Sequence, residues 1–171
     1  MIEEKAIDLD AIKKNFIITW GEVSTQWGVP KTMGQIHCFL LISSKPQGFD
    51  EIMEALQISR GNVHINITAL IEWEIVYKVS TQGDRKDYFI AEKDMWKVLT
   101  RVVKQRKKRE LDPMLELMNE YKSIPIKDKE TEEFVNTINN ISIFTNRAEV
   151  LLDKISKAEA NWMLNSFFKI S

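Results

Sequence analysis

Residues 58–91 constrain the fold of this chain most, because they combine a helix, a strand, a polar turn and a second strand. The apolar residues of the first half recur at helical spacing: Val63, Ile67, Leu70 and Ile71. On a period of about 3.6 residues they form one continuous stripe, which is the side that a helix turns towards a core. Ser59 precedes the stripe, and its hydroxyl can accept a hydrogen bond from a first-turn amide. The helix is therefore predicted to begin at Ser59, as the second helix of a winged helix-turn-helix.

The second half of this segment predicts a β-hairpin. Residues 74–79 and 88–90 contain β-branched and aromatic side chains, which favour strands. The TQGDRK loop between them contains Gly83, and glycine can adopt the positive φ that a tight loop requires. Arg85 lies at the tip beside Lys86, and both are predicted to bind DNA. We expect Arg85 to enter a minor groove, where narrow AT-rich DNA concentrates negative potential. The alternative is a solvated hairpin tip, because charged tips are common.

The other side of the predicted helix carries the strongest functional signal. No carboxylate precedes Glu72 in the helix. An ordinary surface helix mixes in Glu and Lys, whereas a helix in a phosphate-walled groove excludes carboxylates and keeps short amide and hydroxyl groups that reach base edges. We therefore predict that this helix binds DNA. Its predicted DNA-binding residues are Ser59, Arg60, Asn62, His64, Ile65, Asn66 and Thr68, with Asn62, Ile65, Asn66 and Thr68 facing the major groove.

A supporting helix is predicted immediately upstream. Its apolar residues follow helical spacing: Phe49, Ile52, Met53 and Leu56. Asp50 and Glu51 fall in the first turn, where the helix dipole favours acidic side chains. Residues 57–59 then form a connection of the length found in a helix-turn-helix. Before this helix, residues 43–48 are predicted to be a turn-rich linker, with too few β-branched residues to indicate a strand.

These motifs resemble the MarR superfamily of winged-helix regulators, and particularly its GbsR-type branch. The resemblance rests on SRGNV at residues 59–63, NITALIEWEIVYKV at 66–79 and GDRKDYF at 83–89. WGVPKTMGQIHCFLLIS upstream and KQRKKRE downstream are similar too, so the likeness covers about residues 20–113. Many members of the branch have glycine where this chain has Glu74. The resemblance implies a dimer in which an N-terminal helix packs against C-terminal helices.

The distribution of charge agrees with a DNA site in this region. The net charge of the 171 residues is −1. Residues 59–109 carry 12 basic and 6 acidic side chains. Residues 1–58 carry 5 basic and 8 acidic side chains, and residues 110–171 carry 7 basic and 11 acidic side chains. Positive charge confined to one segment is the footprint of a nucleic-acid site. We expect the basic run RVVKQRKKRE at 101–110, which includes Arg101 and Lys107, to lie along a flanking phosphate backbone, with a solvated helix face as the alternative.

Two further helices are predicted before residue 43. Residues 7–27 place apolar side chains three or four positions apart, as in an amphipathic helix. Pro30 fits the first position of the next helix, which extends through Ile42. Lys31 and Thr32 fall in its first turn, where free amides and a cation can hold a phosphate. Two solvated residues at the helix start are an equal alternative.

The region after the hairpin predicts long helices. Residues 94–121 form one helix that Pro113 interrupts near Arg109, because proline removes a helix hydrogen bond. After a break at residues 123–130, a last helix extends to about Phe168. Its apolar residues follow an alternating 4,3 repeat at Phe134, Ile138, Ile141, Ala148, Leu152, Ile155 and Trp162, with Thr145 and Glu159 as polar members. Such a repeat needs a partner surface, and a two-fold homodimer would supply one. The same dimer would set two recognition helices about one DNA turn apart.

The sequence offers little for catalysis, metal binding or a membrane. It has no glycine-rich phosphate loop, nucleophile elbow or His/Cys cluster, so no catalytic residue, metal ligand or cofactor is predicted. The single cysteine, Cys38, lies in the apolar run IHCFLLI and is interpreted as a core residue, with a redox-sensing thiol as the alternative. No apolar run reaches the roughly 18 residues that span a bilayer, so we expect a cytoplasmic protein.

The five tryptophans are candidates for the wall of an effector pocket. They are Trp20, Trp27, Trp73, Trp96 and Trp162. An aromatic cage would suit a quaternary ammonium through cation–π attraction, and some GbsR-type proteins are associated with choline and glycine-betaine control. Tryptophan at helical spacing is more often a core residue, so no pocket residue is assigned.

These observations predict a mainly α-helical chain with a small β-wing. Residues 1–29 form an N-terminal helix, residues 30–93 a winged helix-turn-helix that binds DNA, and residues 94–171 the dimerisation helices. The predicted function is that of a homodimeric transcriptional regulator, a repressor, that recognises a palindromic operator in double-stranded DNA and has room for a small-molecule effector. The alternative is a winged helix that binds proteins, which has no need of a carboxylate-free helix.

Overall fold

The structure, a computed structural model, describes residues 8–80, 85–121 and 123–157. It is mainly α-helical with a small three-stranded antiparallel sheet, which confirms the predicted fold class. The chain divides into two compact units after Lys93. Among the described residues, no helix has the length and apolar character needed to cross a membrane.

The first unit contains four helices and the sheet. In chain order these are α1 (Leu9–Gln26), α2 (Lys31–Ile42), β1 (Gln47–Gly48), α3 (Phe49–Leu56), α4 (Arg60–Glu72), β2 (Val76–Val79) and β3 (Tyr88–Ala91). The strand order is β1-β3-β2. In the hairpin, Val76 pairs with Ala91 and Val79 pairs with Tyr88. The hairpin tip at residues 81–84, including Gly83, lies outside the described residues.

The strand β1 was not predicted. Gln47 pairs with Phe89 and Gly48 with Tyr88, so these two residues add a third strand to the edge of the hairpin. Both residues are buried. A two-residue strand leaves no alternating pattern in the sequence, and here it forms because β3 offers unpaired backbone groups. The predicted turn-rich linker therefore ends in a short strand that the sequence pattern did not indicate.

The helix boundaries follow the predicted caps closely. Ser59 is the N-cap of α4, and its hydroxyl accepts a hydrogen bond from the Asn62 amide at 3.3 Å. Gln57 ends α3 in a left-handed conformation with φ 53°, so residues 57–59 form the predicted connection. Pro30 is the N-cap of α2 rather than its first residue, a shift of one position.

The core of the first unit lies where α2, α3, α4 and the hairpin meet. Its fully buried side chains are Ile36, Cys38, Leu40, Ile52, Val63, Ile67, Leu70 and Val76. Helix α1 approaches α2 closely at Gly34, where a Cβ atom would overlap the Ser24 side chain. Ile71 was predicted on the apolar stripe of α4 but is 36% exposed, because it lies at the edge of the stripe.

The link from α4 to the hairpin is a left-handed turn at Glu74. Glu74 has φ 60°, a conformation that favours glycine. Its amide donates to the Ile71 carbonyl at 2.8 Å, and the Ile75 amide donates to the Leu70 carbonyl at 3.1 Å. The turn geometry is therefore formed here with glutamate, and β2 begins two residues later.

The second unit contains α5 (Met95–Arg106), a π-helical segment (Lys107–Leu111), α6 (Asp112–Tyr121) and α7 (Lys129–Lys157). Asp94 caps α5, accepting hydrogen bonds from the amides of Trp96 at 2.9 Å and Lys97 at 3.3 Å. The π-helical segment lies just before Pro113, so the predicted interruption near Arg109 is confirmed and takes the form of a wider turn.

Helix α7 finds a partner surface within its own chain. It contacts both α5 and α6, and it buries Val135, Ile138, Ser142 and Thr145. The predicted repeat therefore packs in part inside the second unit, although Phe134 remains 46% exposed. A different set of apolar side chains faces outward: Ile143, Phe144, Val150 and Leu151. Glu159 and Trp162, the last members of the predicted repeat, lie outside the described residues.

Candidate nucleic-acid interface

Helix α4 turns its polar side outward. Burial of Val63, Ile67 and Leu70 fixes its rotation about its own axis. On the opposite side, Ile65 is 69% exposed, the largest exposed fraction of any apolar residue on α4. The remaining site residues of this helix are exposed at Arg60, Asn62, His64 and Thr68 and half-buried at Asn66. The structure thus brings the side chains predicted from periodicity onto one accessible surface.

Asn62 and Asn66 are joined on this surface. The Asn66 side-chain amide donates to the Asn62 backbone carbonyl at 2.8 Å and to its Oδ1 at 2.7 Å. Because Oδ1 of Asn62 already accepts this bond, the Nδ2 group of Asn62 is the part of its amide that remains to donate. Asn66 therefore orients Asn62, a relation that spacing alone suggests only as a four-residue helical pair.

Phe49 of α3 contacts side chains of both β3 and α4. Its ring lies edge-on to Phe89 of β3, with centroids 5.2 Å apart, and its centroid is 6.2 Å from that of His64 in α4. The Arg60 guanidinium carbon lies 4.8 Å from the centre of the same ring. This stacking holds Arg60 at the start of α4 by cation–π attraction.

Asp50 pairs with cations from two elements. Its Oδ1 lies 3.5 Å from Nη1 of Arg60 in α4, and its Oδ2 lies 3.2 Å from Nζ of Lys86 in the hairpin. All three side chains are more than half exposed, so solvent screens both pairs. Sequence reasoning placed Asp50 only at a helix start, because neither partner is near it along the chain.

Three predicted cations meet at the start of α3. Arg60, Arg85 and Lys86 line a depression of about 330 Å³ together with residues 48–51 and Asp87. Asp87 itself pairs with Lys78 of β2, with Nζ 2.8 Å from Oδ1. The depression therefore lies between α4 and the hairpin of β2 and β3, and it is lined by side chains of both signs of charge.

Lys31 and Thr32 belong to a different part of the first unit. They lie in the first turn of α2, where Nζ of Lys31 is 3.2 Å from the Glu22 carboxylate of α1. Thr32 is half-buried. A carboxylate beside Lys31 lowers the attraction of this helix start for a phosphate.

Lys107, in the middle of the basic run, forms ion pairs within the second unit. The Lys107 side chain is only 17% exposed, and its Nζ lies 3.0 Å from Asp112, 3.1 Å from Glu149 and 3.6 Å from Asp153. Hydrogen bonds to Asp112 and Glu149 raise the pKa of Lys107. The expectation that Lys107 lies along a phosphate backbone is therefore corrected: its charge holds the π-helical segment to α7. Lys108 and Arg109 of the same run are exposed.

Two titratable side chains, Cys38 and His37, are buried in α2. Cys38 is fully buried, and burial raises the pKa of its thiol to about 11, which agrees with the core interpretation. His37 is buried beside it, and burial together with the Lys93 charge lowers the pKa of His37 to about 4. Lys93 donates to the carbonyls of Leu40, Leu41 and Ser43 and so caps the end of α2.

A cavity of about 720 Å³ lies among α1, α2, α3 and the segment at 43–47. Its wall has an apolar part, at Ile17, Ile18, Phe39, Ile42 and Leu56, and a charged part, at Asp10, Lys13, Lys14, Lys45 and Glu54. No tryptophan of the described residues lines it. Within the same residues, no group of His, Cys, Asp and Glu could hold a metal ion.

Comparisons with known proteins place the fold. No family model matches the chain, and no curated protein matches it. A solved structure described as a transcriptional regulator has a similar fold, with a TM-score of 0.54 and 17% sequence identity. The match covers 85% of this chain and 99% of that one. The similarity therefore extends beyond the winged helix into the helical remainder of the chain.

Proposed function

We propose, from a fold shared with a transcriptional regulator, that this chain is a sequence-specific DNA-binding regulator of transcription. Helix α4 is the recognition helix, which inserts into the major groove, and Arg85 reaches the minor groove from the wing. The motifs at residues 59–63, 66–79 and 83–89 favour the MarR superfamily and its GbsR-type branch. Repression is the simpler output, because a protein bound over a promoter blocks it without a further surface.

The outward side of α4 is the single observation that carries this proposal. It combines exposed amide, hydroxyl and apolar groups without a carboxylate over the 12 residues before Glu72. Arg60 stands at its N-terminal end, and Arg85 and Lys86 lie beside it in the wing. Phosphate-contacting cations around a set of base-reading side chains are what direct readout of a duplex requires.

The same proposal includes a two-fold homodimer. Helix α7 leaves Ile143, Phe144, Val150 and Leu151 outward, and Phe144 alone is 72% exposed. These residues are spaced along one side of the helix, so a second copy can cover them by the same contact in both directions. Such a dimer would recognise a palindromic operator, because its two recognition helices would read equivalent half-sites.

Selection of bound sites from a random duplex library tests this proposal. The purified chain should enrich a palindromic motif with two half-sites about one helical turn apart. Asn62→Asp replaces a side-chain amide of α4 with a carboxylate of the same size. Because the carboxylate repels the phosphates of the duplex, affinity for the selected site should fall about tenfold or more. Asn139→Asp is the matched control, since it makes the same chemical change at an exposed position of α7. Enrichment of no motif, or equal losses for the two variants, would contradict the proposal.

A small-molecule effector is a secondary part of the proposal. The cavity of about 720 Å³ has the size and the mixed lining of a ligand site. Release of the selected duplex on adding a ligand would support it. The alternative function, protein binding by the winged helix, would instead leave duplex DNA unbound at low ionic strength.

A further inference from the structure

Gly61 lacks a structural reason within the fold. It lies in the first turn of α4, and its φ is not positive. Apart from its chain neighbours and the backbone of its own helix, a Cβ atom built there would meet no described atom within 4 Å, so neither packing nor a close approach of another segment requires glycine. Glycine in a helix is less stable than alanine, because it loses more backbone freedom on folding. The remaining physical reason for glycine is the close approach of a molecule that binds this surface.

Ile65 stands one helical turn after Gly61. A helical side chain leans back over the turn that precedes it, so Ile65 covers the surface beside Gly61. Its neighbours on this surface, Asn62, His64 and Thr68, are polar and exposed. A single exposed apolar side chain is ordinary on a protein surface. Ile65, however, lies at the centre of the polar side and next to a glycine that the fold does not require. This combination indicates that a ligand binds here.

We propose that Gly61 and Ile65 form a thymine-reading element, in which Gly61 lets α4 approach the duplex and Ile65 packs against a thymine methyl group. This inference rests on the proposed DNA-binding function and specifies what that function recognises. The C5-methyl of thymine is the one apolar group that a base pair presents in the major groove. Isoleucine has no hydrogen-bonding group, so contact with this methyl is its route to sequence discrimination.

Replacement of thymine by deoxyuridine tests this element directly, because it removes the methyl and keeps every hydrogen-bonding group. The duplex used is the site selected by the parent chain, with each thymine replaced in turn in both half-sites. Burial of one methyl predicts a loss of about fourfold per half-site at one thymine position. In Ile65→Ala the same replacement should have no effect, because the packing partner of the methyl is gone.

Gly61→Ala gives an independent test with opposite effects on folding and binding. The variant should raise Tm by about 2 °C, because alanine favours the helix. It should nonetheless weaken binding to the selected site about tenfold, since the added methyl meets the duplex. Asn139→Ala is the matched control: it also raises helix propensity at an exposed position, and binding should not change.

The outcomes separate this inference from the proposed function. A selected motif in which no thymine is sensitive to deoxyuridine overturns the thymine-reading element and leaves DNA recognition intact. A methyl effect of equal size in Ile65→Ala, or unchanged binding in Gly61→Ala, also overturns it. A parent chain that enriches no sequence overturns both proposals together.

Discussion

Nζ of Lys86 in the wing lies 3.2 Å from Oδ2 of Asp50 at the start of α3. The other carboxylate oxygen pairs with Arg60, so one acidic side chain holds two of the cations assigned to DNA phosphate. Under the proposed function, a phosphate group of the duplex would therefore compete with Asp50 for these two cations.

Replacing Asp50 tests this competition. Asp50→Asn should raise affinity for any duplex about two- to tenfold at low salt, because it removes the carboxylate that competes with phosphate for Arg60 and Lys86. The slope of log affinity against log salt should steepen by about one unit. Fluorescence anisotropy across a salt series measures both quantities. Glu54→Gln makes the same charge change on α3 and should leave the slope unchanged; weaker binding in Asp50→Asn would instead mean that Asp50 orients the two cations.

The hydrogen bonds between Asn62 and Asn66 predict coupled losses of specificity. Asn66→Ala should cost about 1–3 kcal/mol of affinity for the selected site, with little change for random duplex. Asn62→Ala should cost a similar amount, and the double variant less than the sum, because each side chain acts through the other. Titration of all three variants against both duplexes measures the coupling. Strict additivity would show that the two residues bind DNA independently.

Lys107 is expected to act on stability rather than on DNA affinity. Lys107→Ala leaves Asp112, Glu149 and Asp153 without their shared cation and should lower the free energy of unfolding by about 2 kcal/mol. Because the pKa of Lys107 is raised, this stabilisation is present at neutral pH and is lost as the pH rises above the ordinary lysine pKa. Urea unfolding measures the change. Lys108→Ala, at the exposed neighbouring position, is the control for stability; a shallower salt slope for Lys107→Ala would restore Lys107 to the phosphate contacts.

His37 predicts a loss of stability in mild acid. Its pKa is lowered from 6.5 to about 4, first by burial and then by Lys93, so the unfolded chain binds more protons between these pH values. The contribution of His37 to stability is complete above about pH 6.5 and falls by about 3 kcal/mol as the pH drops towards 4. Urea midpoints between pH 4.5 and 7 measure this slope. His37→Gln should flatten the slope and His64→Gln, at an exposed position, should not; an unchanged slope in His37→Gln would assign it to other groups.

The sequence alone determined the features that depend on near neighbours along the chain. The stripe of Val63, Ile67 and Leu70 predicted the rotation of α4, Ser59 predicted its start, and the residues around Gly83 predicted a hairpin. Each of these relies on side chains or amides within about one or two turns, where backbone geometry is regular and spacing translates directly into position.

The tertiary structure decided which distant segments of the chain contact each other. Strand β1 exists because β3 offers an edge, and Asp50 meets Arg60 and Lys86 because α3 folds against α4 and the wing. In the same way, α7 supplies Glu149 and Asp153 to Lys107. Periodicity shows that a charge or an apolar stripe needs a partner, but contacts between distant segments depend on how the whole chain packs. For that reason the exposed side of α4 was predictable from the sequence, whereas the ion pairs of Asp50 with Arg60 and Lys86 were not.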